Sequence, residues 1–306
     1  MQSARNTKSS RSEEIAQVAT VDRLSALLER FRVRARLFHA GPLCGVTRFD
    51  AQPGRAFLHV LRHGEMEVTH RAGGRNRRVR LAEPSLLFYP RPWDHAFHNP
   101  PRDGCDFVCA TLDFEGGAQH PLARALPDVS IVPLREVAGL EHTLALLFGE
   151  TERVRCGQRL VADRAFEVLL LQLLRWMLDH PARAQLPAGL LTGLSHPGLA
   201  RALVAIHEQP GAPWALETLA HRAGMSRSAF AQAFREAVGD TPASYLLRWR
   251  MALAQAELRH GAPVKQVAER FGYGTPGSFS RAFAQAEGLA PREWLQRQRA
   301  AAAAQG

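Results

Sequence analysis

Four histidines and two cysteines come closest to a pattern that could do chemistry: His59, His63, His95 and His98, with Cys105 and Cys109 a few residues further on. Neutral imidazoles and thiolates ligate zinc, copper and iron, but such a site needs three or four donors converging at fixed spacing. No carboxylate stands at ligand spacing from these histidines, so a metal-dependent oxygenase or isomerase is the least favoured chemistry. Cys105 and Cys109 would share one face of a strand, because side chains alternate across a sheet. That spacing suits a redox or metal sensor, and it suits two small apolar residues in a core equally well. The chain has four cysteines and no CxxC pair, usage that fits reduced thiols in a cytosol better than a disulfide framework.

The elements that must position these residues change character along the chain. At 306 residues it suits two domains, and 46% hydrophobic against 22% charged residues allows a packed core. Residues 1–20 are polar and Ser-rich and read as a disordered lead. Arg5, Lys8 and Arg11 have no apolar stretch behind them, so no secretory signal is expected. No apolar run approaches the ~18–20 residues of a membrane span, and a cytoplasmic protein with no membrane partner is expected. Leu24, Leu27, Leu28 and Phe31 predict a helix from Val21 to about Leu37. Between Gly41 and Val132, short apolar runs at Phe57–Leu61, Met66–Val68, Val79–Leu81, Leu86–Tyr89 and Phe107–Phe114 are punctuated by Gly and Pro. That texture predicts an antiparallel β-barrel or sandwich. Beyond Pro133 the pattern is helical, with amphipathic stretches at Gly139–Arg153 and Leu160–Asp179, then a loose connector over 181–195.

The most informative feature is a repeat within residues 216–299. Its first copy runs Leu219-Ala220, Gly224-Met225-Ser226, Phe230, Phe234, Gly239, Pro242, Tyr245-Leu246. The second runs Val267-Ala268, Gly272-Tyr273, Thr275, Phe279, Phe283, Gly288, Pro291, Trp294-Leu295. Each copy reads as a short helix ending at a left-handed glycine, a tight turn, and a second helix capped by Ser226 or Thr275. The paired phenylalanines lie one turn apart on a buried face. This is a helix-turn-helix, whose second helix can enter a major groove. The units fall at about 216–238 and 264–287, joined by one long helix from Pro242 to His260. Lys and Arg number 39 against 29 Asp and Glu, a net charge of +10, which favours a polyanionic partner.

Residues 196–299 resemble the DNA-binding domain of AraC/XylS-type transcriptional regulators. The match is carried by Leu219-Ala220, Ala223-Gly224-Met225-Ser226-Arg227-Ser228-Ala229-Phe230 and by Gly272-Tyr273 with Phe279-Ser280-Arg281-Ala282-Phe283. The resemblance implies double-stranded DNA as partner, with RNA polymerase a further one. It places Ser228, Ala231 and Gln232 of the first unit, and Gly277, Ser278, Ser280 and Arg281 of the second, against base edges. Arg281 suits guanine and Gln232 adenine. Arg227, Arg235, Arg248, Arg250 and Thr275 are assigned to phosphates, which set register rather than sequence. The chain departs from the family at Pro276-Gly277, where only backbone can contact DNA.

The stretch Pro84-x5-Pro90-x-Pro92-x2-His95-x3-Asn99 follows the second cupin motif, with proline in place of its two glycines. In the first motif the ligating pair and Glu fall on Ala51, Pro53 and Phe57, so the barrel resembles a cupin whose metal site is lost. Cys109, Phe114, His120-Pro121-Leu122 and Leu126-Pro127, with Phe57-Leu58-His59-Val60, are similar to the cupin-type sensor found ahead of many AraC-type domains. That implies a small-molecule effector in the barrel, with His59, His95, Cys105 and Cys109 as pocket candidates and no cofactor or metal. A redox or metal sensor using Cys105 and Cys109 is the alternative.

The expected fold is therefore two-domain α+β. A cupin-like barrel with a helical extension spans 21–180, and an all-α domain of two helix-turn-helix units spans 196–300. The stripe Leu160, Phe166, Leu169, Leu170, Leu173, Leu174, Met177 is wider than one small barrel needs, so a homodimer paired through this helix is expected.

Overall fold

The computed structural model describes residues 21–72, 75–100, 104–115, 117 and 120–303, so the polar lead over 1–20 lies outside the described residues. The chain divides into two compact units, one spanning Phe31–Pro187 and the other combining the residues up to Arg30 with those from Ala188 on.

The first unit contains β1 (Val33–Leu43), β2 (Gly45–Phe49), β3 (Arg55–His63), β4 (Met66–Ala72), β5 (Arg75–Leu81), β6 (Ser85–Tyr89), β7 (His95–Asn99), β8 (Cys105–Phe114) and β9 (Ser130–Pro133). They form two antiparallel sheets, ordered β1-β8-β3-β6-β9 and β2-β7-β4-β5. The expected β domain is thus a two-sheet sandwich rather than one closed barrel. Its core lies between the sheets, where Phe57, Leu61, Leu87, Tyr89 and Phe107 of one meet Met66, Val68, Leu81 and Phe97 of the other. Every strand expected from an apolar run is present. The helix expected from Val21 to Leu37 is only α1 (Ser25–Leu28); from Val33 the chain is strand. Val33, Ala35 and Leu37 alternate with Arg34 and Arg36, a period of two that belongs to a half-buried strand.

After α2 (Pro121–Ala125) come α3 (Leu140–Thr151) and α4 (Gln158–Asp179). Helix α4 lies along the edge strand β1. Its Asp163 accepts a hydrogen bond from Leu37 N–H at 2.6 Å and its Glu167 one from Ala35 N–H at 3.3 Å. Two carboxylates thereby satisfy edge donors that could otherwise template pairing with another chain. The apolar stripe of α4 is used within the protomer: Phe166, Leu169, Leu173, Leu174 and Met177 are buried, and Leu170 is 3% exposed. Only Leu160 of the expected dimer stripe stays open, at 69%. The surplus apolar surface expected for subunit pairing is therefore absent from most of this helix.

The second unit is all helical. The connector expected over 181–195 already contains α5 (Leu190–Ser195), with Leu190, Leu191 and Leu194 buried. It is followed by α6 (Pro197–Glu208), α7 (Leu216–Ala223), α8 (Arg227–Val238), α9 (Pro242–Arg259), α10 (Val264–Arg270), α11 (Pro276–Glu287) and α12 (Pro291–Ala303). Helix α1 belongs here rather than with the sandwich: Leu24 and Leu27 are buried, and Arg30 donates to the Glu208 carbonyl at 3.1 Å.

Candidate nucleic-acid interface and sandwich site

Both halves of the repeat close in the same way. Gly224 ends α7 at φ +69 and Gly272 follows α10 at φ +78, the left-handed region that glycine enters without Cβ strain. Ser226 then caps α8 by accepting from Ala229 N–H at 3.3 Å. Thr275 caps α11 in a reciprocal box with Ser278. Phe230 and Phe234 are fully buried with ring centroids 5.6 Å apart, as are Phe279 and Phe283, also at 5.6 Å. Both second helices thus bury one face and leave the other to solvent. Phe234 meets Tyr245 of α9 at 5.7 Å and Phe283 meets Trp294 of α12 at 5.7 Å, so each second helix is anchored on the helix that follows it.

The open faces carry most of the expected contact residues. Ser228 and Gln232 are exposed on α8, and Gln232 donates to Glu236 at 3.0 Å. On α11, Gly277 and Arg281 are exposed and Ser280 is half-buried. Several expected contact residues have other partners. The Ser278 hydroxyl donates to the Thr275 carbonyl at 2.8 Å, closing the helix cap, and Thr275 Oγ1 accepts from Ser278 N–H at 3.1 Å. Ala231 lines a small apolar recess with Trp214, Leu219 and Leu246. Arg250 departs furthest from the expected phosphate role. Its Nε donates to Pro210 O at 2.6 Å and its Nη2 to Ala212 O at 2.9 Å, so it clamps the loop ahead of α7. Burial lowers its pKa. Arg227 pairs with Glu217 at 3.0 Å at the surface, where an ion pair contributes little, and Arg248 pairs with the largely buried carboxylate of Asp240. Arg235 is exposed.

In the sandwich, His59 and His95 meet in an aromatic box. Phe49, Phe57 and Phe97 have centroids 4.8, 5.8 and 4.9 Å from His59, and Tyr89 stacks on His95 at 4.0 Å. The hydrogen bonds fix the tautomers. His95 Nδ1 lies 2.9 Å from the Trp93 carbonyl, which can only accept, so Nδ1 carries the proton and Nε2 is bare. His59 Nε2, 3.0 Å away, therefore donates to it. His59 Nδ1 is left as a buried acceptor with no partner. Burial, together with the neighbouring imidazole, pushes His59 well below its ordinary pKa, and burial pulls His95 down to about 4. Both rings are neutral at physiological pH.

Cys109 pairs in register with His59 across β3 and β8 and is fully buried, which drives its thiol pKa well up. Cys105 also joins the core cluster and donates to Glu65 O at 3.2 Å. Among the described residues no group of three or more His, Cys, Asp and Glu could hold a metal ion. The expected pocket set therefore separates. His95 lines an open groove of about 610 Å³ with Phe49, His70 and Thr69, while Cys105 and Cys109 lie elsewhere. The sequence reading missed the groove's dominant feature, four arginines (Arg48, Arg71, Arg77, Arg78) against two aspartates (Asp50, Asp94). The signal was present as the basic run from Arg75 to Arg80 on β5.

Comparisons with known proteins agree with this architecture. Residues 22–179 match a cupin family model and residues 219–297 a helix-turn-helix domain model. The HTH-type transcriptional regulator AlkR of Acinetobacter baylyi is 36% identical over 194 residues, 62% of this chain and 62% of its own length. The match thus spans about three fifths of that relative. A putative AraC-like transcription regulator of Streptomyces lividans is 27% identical over 299 residues, covering 89% of this chain and 96% of that one. Among solved structures, the DNA-binding domain of AdpA in complex with a target DNA is 31% identical, with 33% of this chain and 92% of that chain covered and a TM-score of 0.31. No helix among the described residues is long and apolar enough to cross a membrane. With a cupin domain over its first half and a duplicated helix-turn-helix over its last third, the chain belongs to the AraC-type regulators that carry a cupin-like N-terminal domain.

Proposed function

We infer that the protein is a sequence-specific DNA-binding transcriptional regulator and not an enzyme, with its DNA binding controlled by a small effector held in the N-terminal unit. The observation that carries the reading is the duplicated helix-turn-helix, in which α8 and α11 present Ser228, Gln232, Ser280 and Arg281 on faces that burial of the phenylalanine pairs leaves open. Selection from random duplexes at ~0.15 M salt, where non-specific phosphate binding is weakened, should return a preferred site. Recovery of no preferred sequence would end the reading.

Readout and anchoring separate by mutation. Arg281→Ala should cost about 1–3 kcal/mol and relax preference at one base pair. Arg227→Ala should weaken all sequences alike and flatten the salt dependence. Arg250→Ala is expected to lower stability rather than remove a phosphate contact, because its guanidinium is taken up by the Pro210 and Ala212 carbonyls and by Tyr273.

The effector is an anionic small molecule in the groove of Arg48, Arg71, Arg77 and Arg78. The excess of arginine there favours carboxylate or phosphate groups. Thermal stabilisation by a panel of metabolite anions, lost in Arg48→Ala with Arg77→Ala, would support this assignment. An unchanged melting temperature across the panel would remove it.

Subunits pair through what α3 and α4 leave exposed, Leu146, Leu160 and Val168. Leu160→Glu with Val168→Glu should give a folded monomer that retains weak half-site binding, because tethering makes the second contact intramolecular. Sedimentation showing the unaltered protein monomeric at micromolar concentration would exclude pairing by this face.

A further inference from the structure

We propose that Cys44 and Cys105 form a reversible disulfide when the protein meets a hydroperoxide, giving the N-terminal unit a redox input distinct from the groove. The proposal starts from where the sulfurs lie. Cys44 is exposed in the one-residue break between β1 and β2, while Cys105 is buried at the first position of β8. β1 and β8 are paired in register, with Leu43 opposite Cys105, so Cys44 follows directly on the residue that faces Cys105. Gly104, at φ +50, shows how close the approach is: a Cβ there would stand 2.8 Å from Cys44 Sγ. A Cβ on Gly64 would likewise stand 2.8 Å from Cys105 Sγ. Glycines at both positions leave room for the two sulfurs at one end of β8. The thiols are also near enough electrostatically that Cys44, after burial, is the next contributor raising the pKa of Cys105.

The other cysteines do not share this arrangement. Cys109 lies wholly inside the core opposite His39 of β1, four residues further along β8 than Cys105 and so away from Cys44. Cys156 is exposed just ahead of α4. Sequence spacing offers Cys105 with Cys109 as an alternative pair; the proposed pair couples an exposed thiol, Cys44, to the buried Cys105.

The chemistry balances in two steps. The Cys44 thiolate attacks the peroxide; an S–O bond forms, the O–O bond breaks, and the departing alkoxide or hydroxide takes up a proton. The product is a sulfenic acid at Cys44. Cys105 sulfur then attacks Cys44 sulfur; the S–S bond forms, the S–O bond breaks, and water leaves with the Cys105 proton. Two thiols are oxidised and one peroxide is reduced. The bridge ties the turn after β1 to the start of β8, the strand that pairs with both β1 and β3.

Full-length protein treated with equimolar hydrogen peroxide and digested under non-reducing conditions should yield one intramolecular peptide pair joining Cys44 to Cys105, removed by dithiothreitol. Cys44→Ser and Cys105→Ala should each abolish it, while Cys109→Ala and Cys156→Ser should leave it intact. Cys44→Ser alters an exposed side chain, so its result stands even if the buried Cys105→Ala fails to fold. Sulfinic or sulfonic acid at Cys44 without the cross-link, or a bridge using Cys109 or Cys156, would overturn the proposal. The control of DNA binding rests on the regulator reading and is measured separately. Oxidation should shift affinity for the selected site by about tenfold in the wild type and not in Cys44→Ser. A cross-link with no preferred DNA site would break the regulator reading and leave the thiol pair standing, whereas a preferred site with no cross-link would do the reverse.

Discussion

Gly272→Ala should destabilise the helical unit by at least about 3 kcal/mol, the range that single substitutions reach only through a specific structural conflict. Two costs coincide at this residue. Its φ of +78 is one that an L side chain adopts only with strain, about 1 kcal/mol for alanine. A Cβ there would also stand 2.3 Å from the carbonyl oxygen of Gly211, a backbone atom that cannot rotate away. The approach is mutual, because a Cβ on Gly211 would stand 2.3 Å from Arg270 O. The loop bearing Gly211 is itself clamped by Arg250 through Pro210 O and Ala212 O. Neither side can yield without losing those bonds, and the turn that sets the angle of α11 moves with them. Two other glycines give the scale. Gly261, at φ +89 with open space around it, should lose about 1 kcal/mol as alanine, and Gly274, with nothing within 4 Å, should change by no more than about 0.5 kcal/mol. Urea midpoints of the three variants in the full chain provide the comparison. Equal shifts for Gly272→Ala and Gly261→Ala would show that the loop gives way.

That contact also shows what the repeat could and could not reveal. Glycine, cap, phenylalanine pair and proline recur at matching offsets because each answers a local need, and local needs are written locally. Gly211 and Arg250 belong to neither copy. Their roles depend on backbone brought together from 40 or so residues away, as the Arg250–Pro210 bond illustrates. Arginine on a basic helical domain reads as a phosphate ligand until its partners are visible. Ser278 is a similar case, since the hydroxyl suited to a base is the one that completes the α11 cap. In the first unit, periodicity gave the long strands but lost β1 behind an apparent leucine helix, where alternation with Arg34 and Arg36 was the better guide. The α4 stripe looked too wide because a sandwich was counted as its only neighbour. In the structure α3 packs against it as well as β1.

Between pH 6.5 and about 4 the protein should lose stability steeply, in both of its units, through histidines that are buried neutral. In the first unit His95 and His120 are each pulled down to about 4 by burial, and His59 lies well below its ordinary value. In the second, burial with the Arg30 charge nearby takes His207 down to about 3. The sign follows from proton counting. Below pH 6.5 the unfolded chain binds protons at these rings and the native chain does not, so stability falls as pH falls. The loss levels off only below the folded values. A ring displaced from 6.5 to about 4 forfeits about 2 kcal/mol by pH 5. The structure explains why the native rings resist the proton. His120 Nδ1 accepts from Leu122 N–H at 3.1 Å while Nε2 donates to Phe31 O at 3.2 Å, so a second proton would expel the cap of α2. His207 Nε2 lies 2.6 Å from the Tyr245 hydroxyl, against Trp249, with no solvent to stabilise a charge. Denaturant titrations at pH 7 and pH 5 should therefore differ by several kcal/mol in the wild type. His120→Asn, which keeps a side-chain acceptor for the helix cap but does not titrate, should lower stability at pH 7 and narrow the difference by about 2 kcal/mol. An unchanged difference would mean that His120 takes up its proton over the same pH range in the folded protein as in the unfolded chain, and that the tautomer assigned from its two hydrogen bonds does not hold it neutral.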